Sequence, residues 1–163
     1  AILVDDLWQQ FPYDTSRARA RTEFRATYDD NFIYVSAIAF HNRPGGYVIS
    51  SLRRDFRGPG LDGLAVIFDP FQDVTNGFFF GMKPEGVQRE GLISNGYINR
   101  DDLDLSWDNK WYNAAKIYDN YWVAEFAIPF KTLRFKAGAE RWNVKFYRQD
   151  TKPTQKVYWP RRW

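Results

Sequence analysis

Apolar and polar side chains alternate along most of this chain, and this two-residue period constrains the fold more than any other feature. From Thr22 to Tyr28 every second residue faces the same way, while the residues between are mainly charged. This pattern is typical of a strand with one buried face and one face in water. The runs Phe32–Phe40 and 63–68 are apolar on both faces. They predict central strands that are buried on both sides.

Turn-forming residues separate the strands at short intervals. Asp29-Asp30-Asn31 predicts a tight hairpin turn, and Asp119-Asn120 joins the clearest hairpin. The remaining strands are predicted at 47–53 (an edge strand), 77–82, 87–93, 110–118, 121–128 and 142–147, and residues 157–160 are expected to form a short extended tail. Eight or nine such strands predict an all-β fold, an antiparallel β-sandwich of jelly-roll or immunoglobulin-like type. One or two short helical turns are expected, one of them over 129–135 with Pro129 at its start.

The cysteine and histidine counts exclude several kinds of chemistry. The 163 residues include no cysteine and one histidine, His41. A disulfide scaffold, a thiolate zinc site, a cysteine nucleophile and a multi-histidine centre are therefore excluded. The acidic residues lie mostly in loops, and no spacing among them marks a catalytic pair. Heme ligation by His41 and Met82 is the third of three functional alternatives. The chain is predicted not to be an enzyme and to require no cofactor.

Charge and hydropathy limit the partners. The net charge is +3 with mixed signs, and the densest basic cluster is Arg17, Arg19, Arg21 and Arg25. A nucleic-acid-binding protein needs a denser basic stripe, so no nucleic-acid partner is predicted. No apolar run approaches the ~18–20 residues of a membrane-spanning helix. The chain begins at Ala1 with neither an initiator methionine nor a signal peptide. We therefore expect residues 1–163 to be a single domain excised from a larger chain.

The aromatic content is the strongest functional signal. The chain has 7 Trp, 10 Tyr and 14 Phe, 31 in all. Most of them, including Trp122 and Trp142, fall on core positions of predicted strands. The polar stretch 94–110 is too long for a plain loop. Sugar rings stack on aromatic faces while polar groups at the rim bind their hydroxyls, as in other ligand sites. The candidate sugar-binding residues are Trp107, Tyr97, Asn99, Arg89, Trp111 and Trp159, with Trp111 also eligible for the core.

The loop 69–77 is a candidate calcium site. It offers the carboxylates of Asp69 and Asp73, the amide of Asn76 and further oxygen donors within nine residues. Calcium prefers six to eight oxygen ligands of these types. The acidic run 101–104 is a second candidate. Neither segment has the spacing of an EF-hand loop, so a structural calcium ion is a possible addition and not a requirement of the fold.

Three segments of the chain resemble the family 9 carbohydrate-binding modules. They are TEFRATYDDNFIYVSAIA, DGLAVIFDPFQDVTNGFFFGMKPEGVQREG and SWDNKWYNAAKIYDNYWVAEFAIPFKTLRF. The most specific parts are the hairpin at 69–89 and the IPF-x-x-LRF stretch at 128–135. The resemblance is closest to the branch at the N-terminus of large bacterial DUF5916 proteins. It covers roughly residues 20–160, and it departs from the family at 4–8, where the aspartate and tryptophan have altered spacing and the glycine is missing.

The resemblance implies a β-sandwich that binds oligo- or polysaccharides without catalysis, in polysaccharide catabolism. It also implies bound calcium and an extracytoplasmic location in a bacterium: the periplasm, the outer membrane or the cell surface. A C-terminal outer-membrane barrel of the same parent protein is the implied partner. The second alternative is a structural or interaction domain of such a barrel protein with no sugar ligand.

Overall fold

The computed structural model describes residues 1–14, 16–41, 46–47, 52–54, 62–97, 102–151 and 155–161. These residues form twelve strands and two short 3₁₀ turns, at Asn95–Tyr97 and Phe130–Thr132. The strands are β1 (Ile2–Val4), β2 (Trp8–Phe11), β3 (Thr22–Tyr28), β4 (Phe32–Phe40), β5 (Gly63–Asp69), β6 (Gly77–Met82), β7 (Gln88–Ile93), β8 (Leu103–Asp104), β9 (Tyr112–Ile117), β10 (Tyr121–Pro129), β11 (Asn143–Asp150) and β12 (Gln155–Trp159).

The strands form two antiparallel sheets. The five-stranded sheet has the order β1-β3-β4-β10-β9, and the seven-stranded sheet has the order β2-β12-β11-β5-β6-β7-β8. The predicted all-β sandwich is confirmed, and so is the central position of β4 and β5. The described strands outnumber the eight or nine predicted because β1, β2 and β8 have only two to four residues. Strands this short carry too few residues to show alternation. The predicted edge strand at 47–53 lies largely outside the described residues.

The core lies between the two sheets and is rich in aromatic rings. Phe24 of the five-stranded sheet stacks on Phe146 of the other sheet, with ring centroids 4.6 Å apart. Trp122 is buried, as predicted. Trp142 is only half-buried and packs edge-on against Phe68 at 6.3 Å. The prediction that Trp142 is a core residue therefore holds only in part: it lies just before β11 and packs, partly buried, against the main core.

Buried Arg148 ties the two sheets together. It lies on β11, and its guanidinium donates to the carbonyl of Arg21 and the hydroxyl of Thr22, at the start of β3. It also donates to the carbonyl of Phe40 at 2.8 Å and to the carboxylate of Asp150 at 2.7 Å. A buried charge is tolerated only when it is paired and hydrogen-bonded in this way.

A second apolar cluster lies on the outer face of the seven-stranded sheet. Ala65 and Ile67 alternate on β5 with residues of the main core, and Phe79 and Tyr147 join them from the neighbouring strands β6 and β11. All four are buried. The cluster explains why residues 63–68 are apolar on both faces. A Cβ added at Gly81 would lie 2.8 Å from the Phe79 ring, so the ring lies directly over this glycine.

Candidate functional site

Trp107 lies at the open edge of the sandwich. It follows β8, where the Asp104 carboxylate accepts the backbone N–H of Ser106 at 2.8 Å and shapes the turn. Its half-buried ring contacts Phe78 at 5.4 Å and Phe80 at 5.8 Å, two inward-facing residues of β6. The indole is therefore held by the core on one side and remains partly open on the other.

Trp111 lies deeper, beside the same phenylalanine. Its side chain is only 4% exposed. It stacks on Phe126 of β10 at 5.6 Å with an interplanar angle of 8°, and it meets Phe80 edge-on at 5.5 Å. Its indole N–H donates to the carboxylate of Glu90 at 3.1 Å. The structure thus brings Trp107 and Trp111 together through Phe80, and it places Trp111 in the core, one of its two predicted roles.

Charged groups meet beside these two tryptophans. Arg54 forms an ion pair with Glu90 and lies 3.4 Å from the carboxylate of Asp108, the residue next to Trp107. Glu90 is 1% exposed, whereas Asp108 is largely open to water. Trp107, Trp111, Arg54, Glu90 and Asp108 together are called the Trp107 edge. Sequence analysis missed Arg54 and Glu90 as site residues, because Arg54 lies 36 residues from Glu90 and 54 residues from Asp108 in the chain.

The Trp107 edge has the components of a site for a polyhydroxylated ligand. A partly open indole offers an apolar surface, the guanidinium offers several N–H donors and Asp108 offers an exposed acceptor. Glu90 fixes Arg54 from the buried side and fixes Trp111 through the indole N–H. The arrangement can therefore hold a ring by stacking and bind its hydroxyls at the rim.

Of the other predicted site residues, Arg89 lies outside the Trp107 edge. Arg89 faces the opposite side of β7 from Glu90, since neighbouring residues of a strand point to opposite faces. Its guanidinium lies 5.5 Å from the centre of the Phe79 ring in the outer cluster. Tyr97 belongs to the 3₁₀ turn Asn95–Tyr97. Asn99 lies outside the described residues. Their assignment to the binding site stays a prediction.

Trp159 lies on β12, toward the opposite edge of the seven-stranded sheet. Its ring contacts Phe146 at 5.9 Å, and together with Trp142 it lines a pocket of about 400 Å³. Asn143 carries the only polar side chain lining this pocket among the described residues, and its amide already donates to Asp69 at 2.9 Å. Two tryptophans are thus available there, but few groups are present to bind hydroxyls. The pairing of Trp142 with Trp159 was not anticipated from the sequence.

His41 and Met82, the candidate heme ligands, are both buried. The His41 ring packs edge-on against Tyr47 at 4.7 Å. Met82 is part of the main core, and its sulfur accepts the side-chain amide of Asn113 at 3.7 Å. Both side chains are thus engaged in packing within the protein.

Comparison with solved structures identifies the architecture. A candidate carbohydrate-binding protein from Bacteroides uniformis matches 97% of this chain and 76% of its own, with a TM-score of 0.65 and 11% identity. A family 9 carbohydrate-binding module from Caldicellulosiruptor kristjanssonii in complex with cellotriose matches 96% of this chain and 71% of its own, with a TM-score of 0.58 and 12% identity. The fold is that of the family 9 modules. The same module in complex with glucose matches with a TM-score of 0.55 and 13% identity over 94% of this chain and 72% of its own.

Two further comparisons, with protein families and with curated proteins, found no match. The described part of the chain also has no helix with the length and hydropathy needed to cross a membrane.

In this family 9-type fold, the loop 69–77 is closed by its own hydrogen bonds. The Asp69 carboxylate accepts the backbone N–H groups of Phe71 and Val74, each at 3.0 Å. The Asp73 carboxylate accepts the backbone N–H and the side-chain amide of Asn76, at 2.8 and 2.7 Å. These donations, with that of the side-chain amide foremost, lower the pKa of Asp73 to about 2.

This loop does not present the donor set of a calcium cage. The Asn76 side chain turns its N–H₂ group, and not its oxygen, toward Asp73. Across the described ranges, no three acidic or histidine side chains converge to hold a metal ion. Binding of calcium by Asp69, Asp73 and Asn76 would require the loop to exchange its own donors for the ion, and it stays a prediction.

Proposed function

We propose that this protein binds carbohydrate at the Trp107 edge and does not alter it chemically. One observation carries the proposal: Arg54 bridges the buried Glu90, which holds the Trp111 indole, and the exposed Asp108, which follows the half-buried Trp107 in the chain. The fold shared with modules that hold cellotriose and glucose supports the same class of ligand.

Binding at this edge uses stacking and hydrogen bonds at the rim. The sugar ring lies on the open face of Trp107, which is braced from behind by Phe78 and Phe80. Arg54 donates to hydroxyls, and Asp108 accepts from them. Glu90 acts as a positioning residue, since it holds both the guanidinium and the Trp111 indole before the ligand arrives. A site built in advance avoids part of the ordering cost of binding.

The setting of this activity is also part of the proposal. We expect an extracytoplasmic location and a role in polysaccharide catabolism. A C-terminal barrel of the same parent protein, as in the DUF5916 proteins, is the proposed neighbour. These expectations rest on the resemblance of the segments at 22–39, 62–91 and 106–135 to that branch of the family.

The test is a titration with cellotriose and glucose, followed by tryptophan fluorescence and by calorimetry. We expect Trp107→Ala to weaken binding by about tenfold or more, the usual value of one aromatic contact together with its apolar burial. Trp159→Ala serves as the matched control, because it removes a tryptophan from the other edge. Loss of binding in Trp159→Ala with none in Trp107→Ala would move the site to the Trp142–Trp159 pocket. If the folded protein shows no response to millimolar sugar, the result favours the alternative of a structural domain.

Asp108→Asn separates the rim from the stacking platform. The substitution keeps the shape of the side chain and removes the charge that faces Arg54. We expect weaker sugar binding with an unchanged melting temperature, because the Asp108 side chain is exposed.

A further inference from the structure

The outer face of the five-stranded sheet carries a groove of about 540 Å³ that plays no part in the Trp107 edge. Apart from Ala1, its lining comes from the four neighbouring strands β3, β4, β10 and β9. Three strand spacings correspond to about 14 Å. The groove therefore crosses most of the sheet and can take an extended ligand.

The strand register places two tyrosines on either side of a small residue. Tyr34 of β4 is paired with Ala127 of β10, and Ala127 is paired with Tyr112 of β9. The two tyrosines are thus two strands, or about 10 Å, apart. Their side chains are 37% and 49% exposed, respectively. Because alanine is short, the space between the two rings forms a trough.

The next row of residues on the same face consists of charged and short side chains. Ser36 is paired with Glu125, and Glu125 is paired with Ala114. Arg25 of β3 lies opposite Ser36 on its other side. The row therefore carries Arg25, whose guanidinium is paired with Glu23 at 3.1 Å, and Glu125 along a floor of short side chains. Charged groups of both signs suit a neutral ligand rich in hydroxyls better than a polyanion.

Contacts behind the groove hold its walls in place. The Tyr34 hydroxyl donates to Asp29 at 2.9 Å, and this carboxylate also accepts the backbone N–H groups of Asn31 and Phe32. Those two backbone donors are the main reason that the pKa of Asp29 is lowered, so it stays a charged acceptor. The Phe32 ring contacts both Tyr34, at 5.8 Å, and Tyr112, at 6.2 Å. Rings held in this way lose little freedom when a ligand binds.

We infer that this groove is a second carbohydrate-binding site, which takes the interior of a neutral polysaccharide chain along the row formed by Tyr34, Ala127 and Tyr112. The inference rests on the proposed function for the class of ligand, and it adds a separate surface with its own residues. The interior of a chain fits because the lining runs across four strands instead of closing around one ring.

The experiment compares retardation in native gels that contain hydroxyethylcellulose or soluble xylan with the response to cellotriose in solution. The variants are Trp107→Ala and the double change Tyr34→Ala with Tyr112→Ala. Ala114→Arg is added because it fills the floor without removing a contact. Tyr118→Ala is the matched control, since Tyr118 is an exposed tyrosine that does not line the groove.

We expect the double tyrosine variant and Ala114→Arg each to lower the affinity for polysaccharide about tenfold, because the first loses two aromatic contacts and the second blocks them. The response to cellotriose should be unchanged in both. Trp107→Ala is expected to show the reverse. Wild-type retardation in both groove variants would overturn the inference and leave the proposed function intact. Loss of both responses in Trp107→Ala would also overturn it, because the Trp107 edge would then account for all binding. If the wild-type protein is retarded by polysaccharide but does not respond to cellotriose, sugar binding at the Trp107 edge is refuted and the groove proposal stands.

Sedimentation of the same variants tests whether a second copy of this chain, and not a polysaccharide, covers this sheet face. If the wild type is a dimer that the tyrosine pair dissociates, and no variant differs in retardation, the face is an interface between copies of this chain. That result would overturn the inference. A monomeric wild type whose retardation depends on Tyr34 and Tyr112 supports it.

Discussion

The indole N–H of Trp111 donates to the buried carboxylate of Glu90 at 3.1 Å. The two residues are 21 positions apart. Glu90 lies on β7 of the seven-stranded sheet, and Trp111 directly precedes β9 of the five-stranded sheet. Glu90 also pairs with Arg54, so one carboxylate links the core to the Trp107 edge. The stability of the core and the shape of the edge are therefore coupled.

Glu90→Ala tests this coupling. The change leaves the buried Trp111 N–H without its acceptor, whereas Arg54 is half exposed and keeps Asp108. An unsatisfied buried donor costs about 1–3 kcal/mol. We expect a loss of this size in the free energy of unfolding by urea. Glu140→Ala, at an exposed position, is the control and should change it by less than ~0.5 kcal/mol. Equal stabilities of the two variants would contradict the structural role of Glu90.

Arg148→Met tests the link between the two sheets. The substitution removes donors to three groups of the five-stranded sheet and leaves the carboxylate of Asp150 buried without its cation. We expect a loss of about 3–5 kcal/mol in the free energy of unfolding. Replacing both residues, with Arg148→Met and Asp150→Leu, should recover part of it, because no unpaired charge remains. A double variant that is no more stable than Arg148→Met would argue against the pairing.

Gly91→Ala tests the packing of β8 against β7. An added Cβ would lie 2.7 Å from the carbonyl oxygen of Asp104 and 2.8 Å from the Leu103 side chain, so β8 must move. Overpacking of this kind costs about 1–3 kcal/mol. We expect a lower melting temperature and weaker sugar binding, because Trp107 follows β8. Gly63→Ala is the milder control, with its nearest contact at 3.2 Å. An unchanged melting temperature in Gly91→Ala would show that β8 yields freely.

Acid unfolding should reveal the contribution of Asp73. Its folded-state pKa of about 2 lies below the usual 3.8, chiefly because the Asn76 side chain donates to the charged form. A lowered pKa stabilises the fold above about pH 4, and this stability is lost as the pH falls toward about 2. We expect Asp73→Asn to melt below the wild type at pH 5 and to converge with it near pH 2. A constant difference across this range would exclude the effect. The shift is small in energy, since the group is exposed to solvent.

Chelation tests the calcium prediction at Asp69, Asp73 and Asn76. Because the loop is closed by its own N–H donors, we expect EDTA to leave the melting temperature within about 1 °C of its original value. A bound ion at a hundredfold excess over its Kd would add about 2.7 kcal/mol. A fall of several degrees that added CaCl₂ reverses would establish a calcium site, and Asp69→Asn should then abolish the response.

Alternation along the chain determined most of the strands and the inward face of each one. A side chain's face follows from its place in the two-residue period, so Phe24, Val35 and Trp122 could be assigned to the core from the sequence. The same reasoning did not determine whether Trp107 is exposed, because a polar run with no period precedes it. The resemblance to family 9 modules was also accessible at this level.

Only the tertiary structure decided which strands are neighbours and in what register. Arg54 meets Glu90 and Asp108 across loops and strands that the sequence separates widely. Tyr34 and Tyr112 flank Ala127 because β10 lies between β4 and β9. The period of a strand assigns each side chain to a face, but pairing between distant strands depends on the free energy of the whole sandwich. The aromatic residues could therefore be sorted into core and surface from the sequence, while their grouping into sites could not.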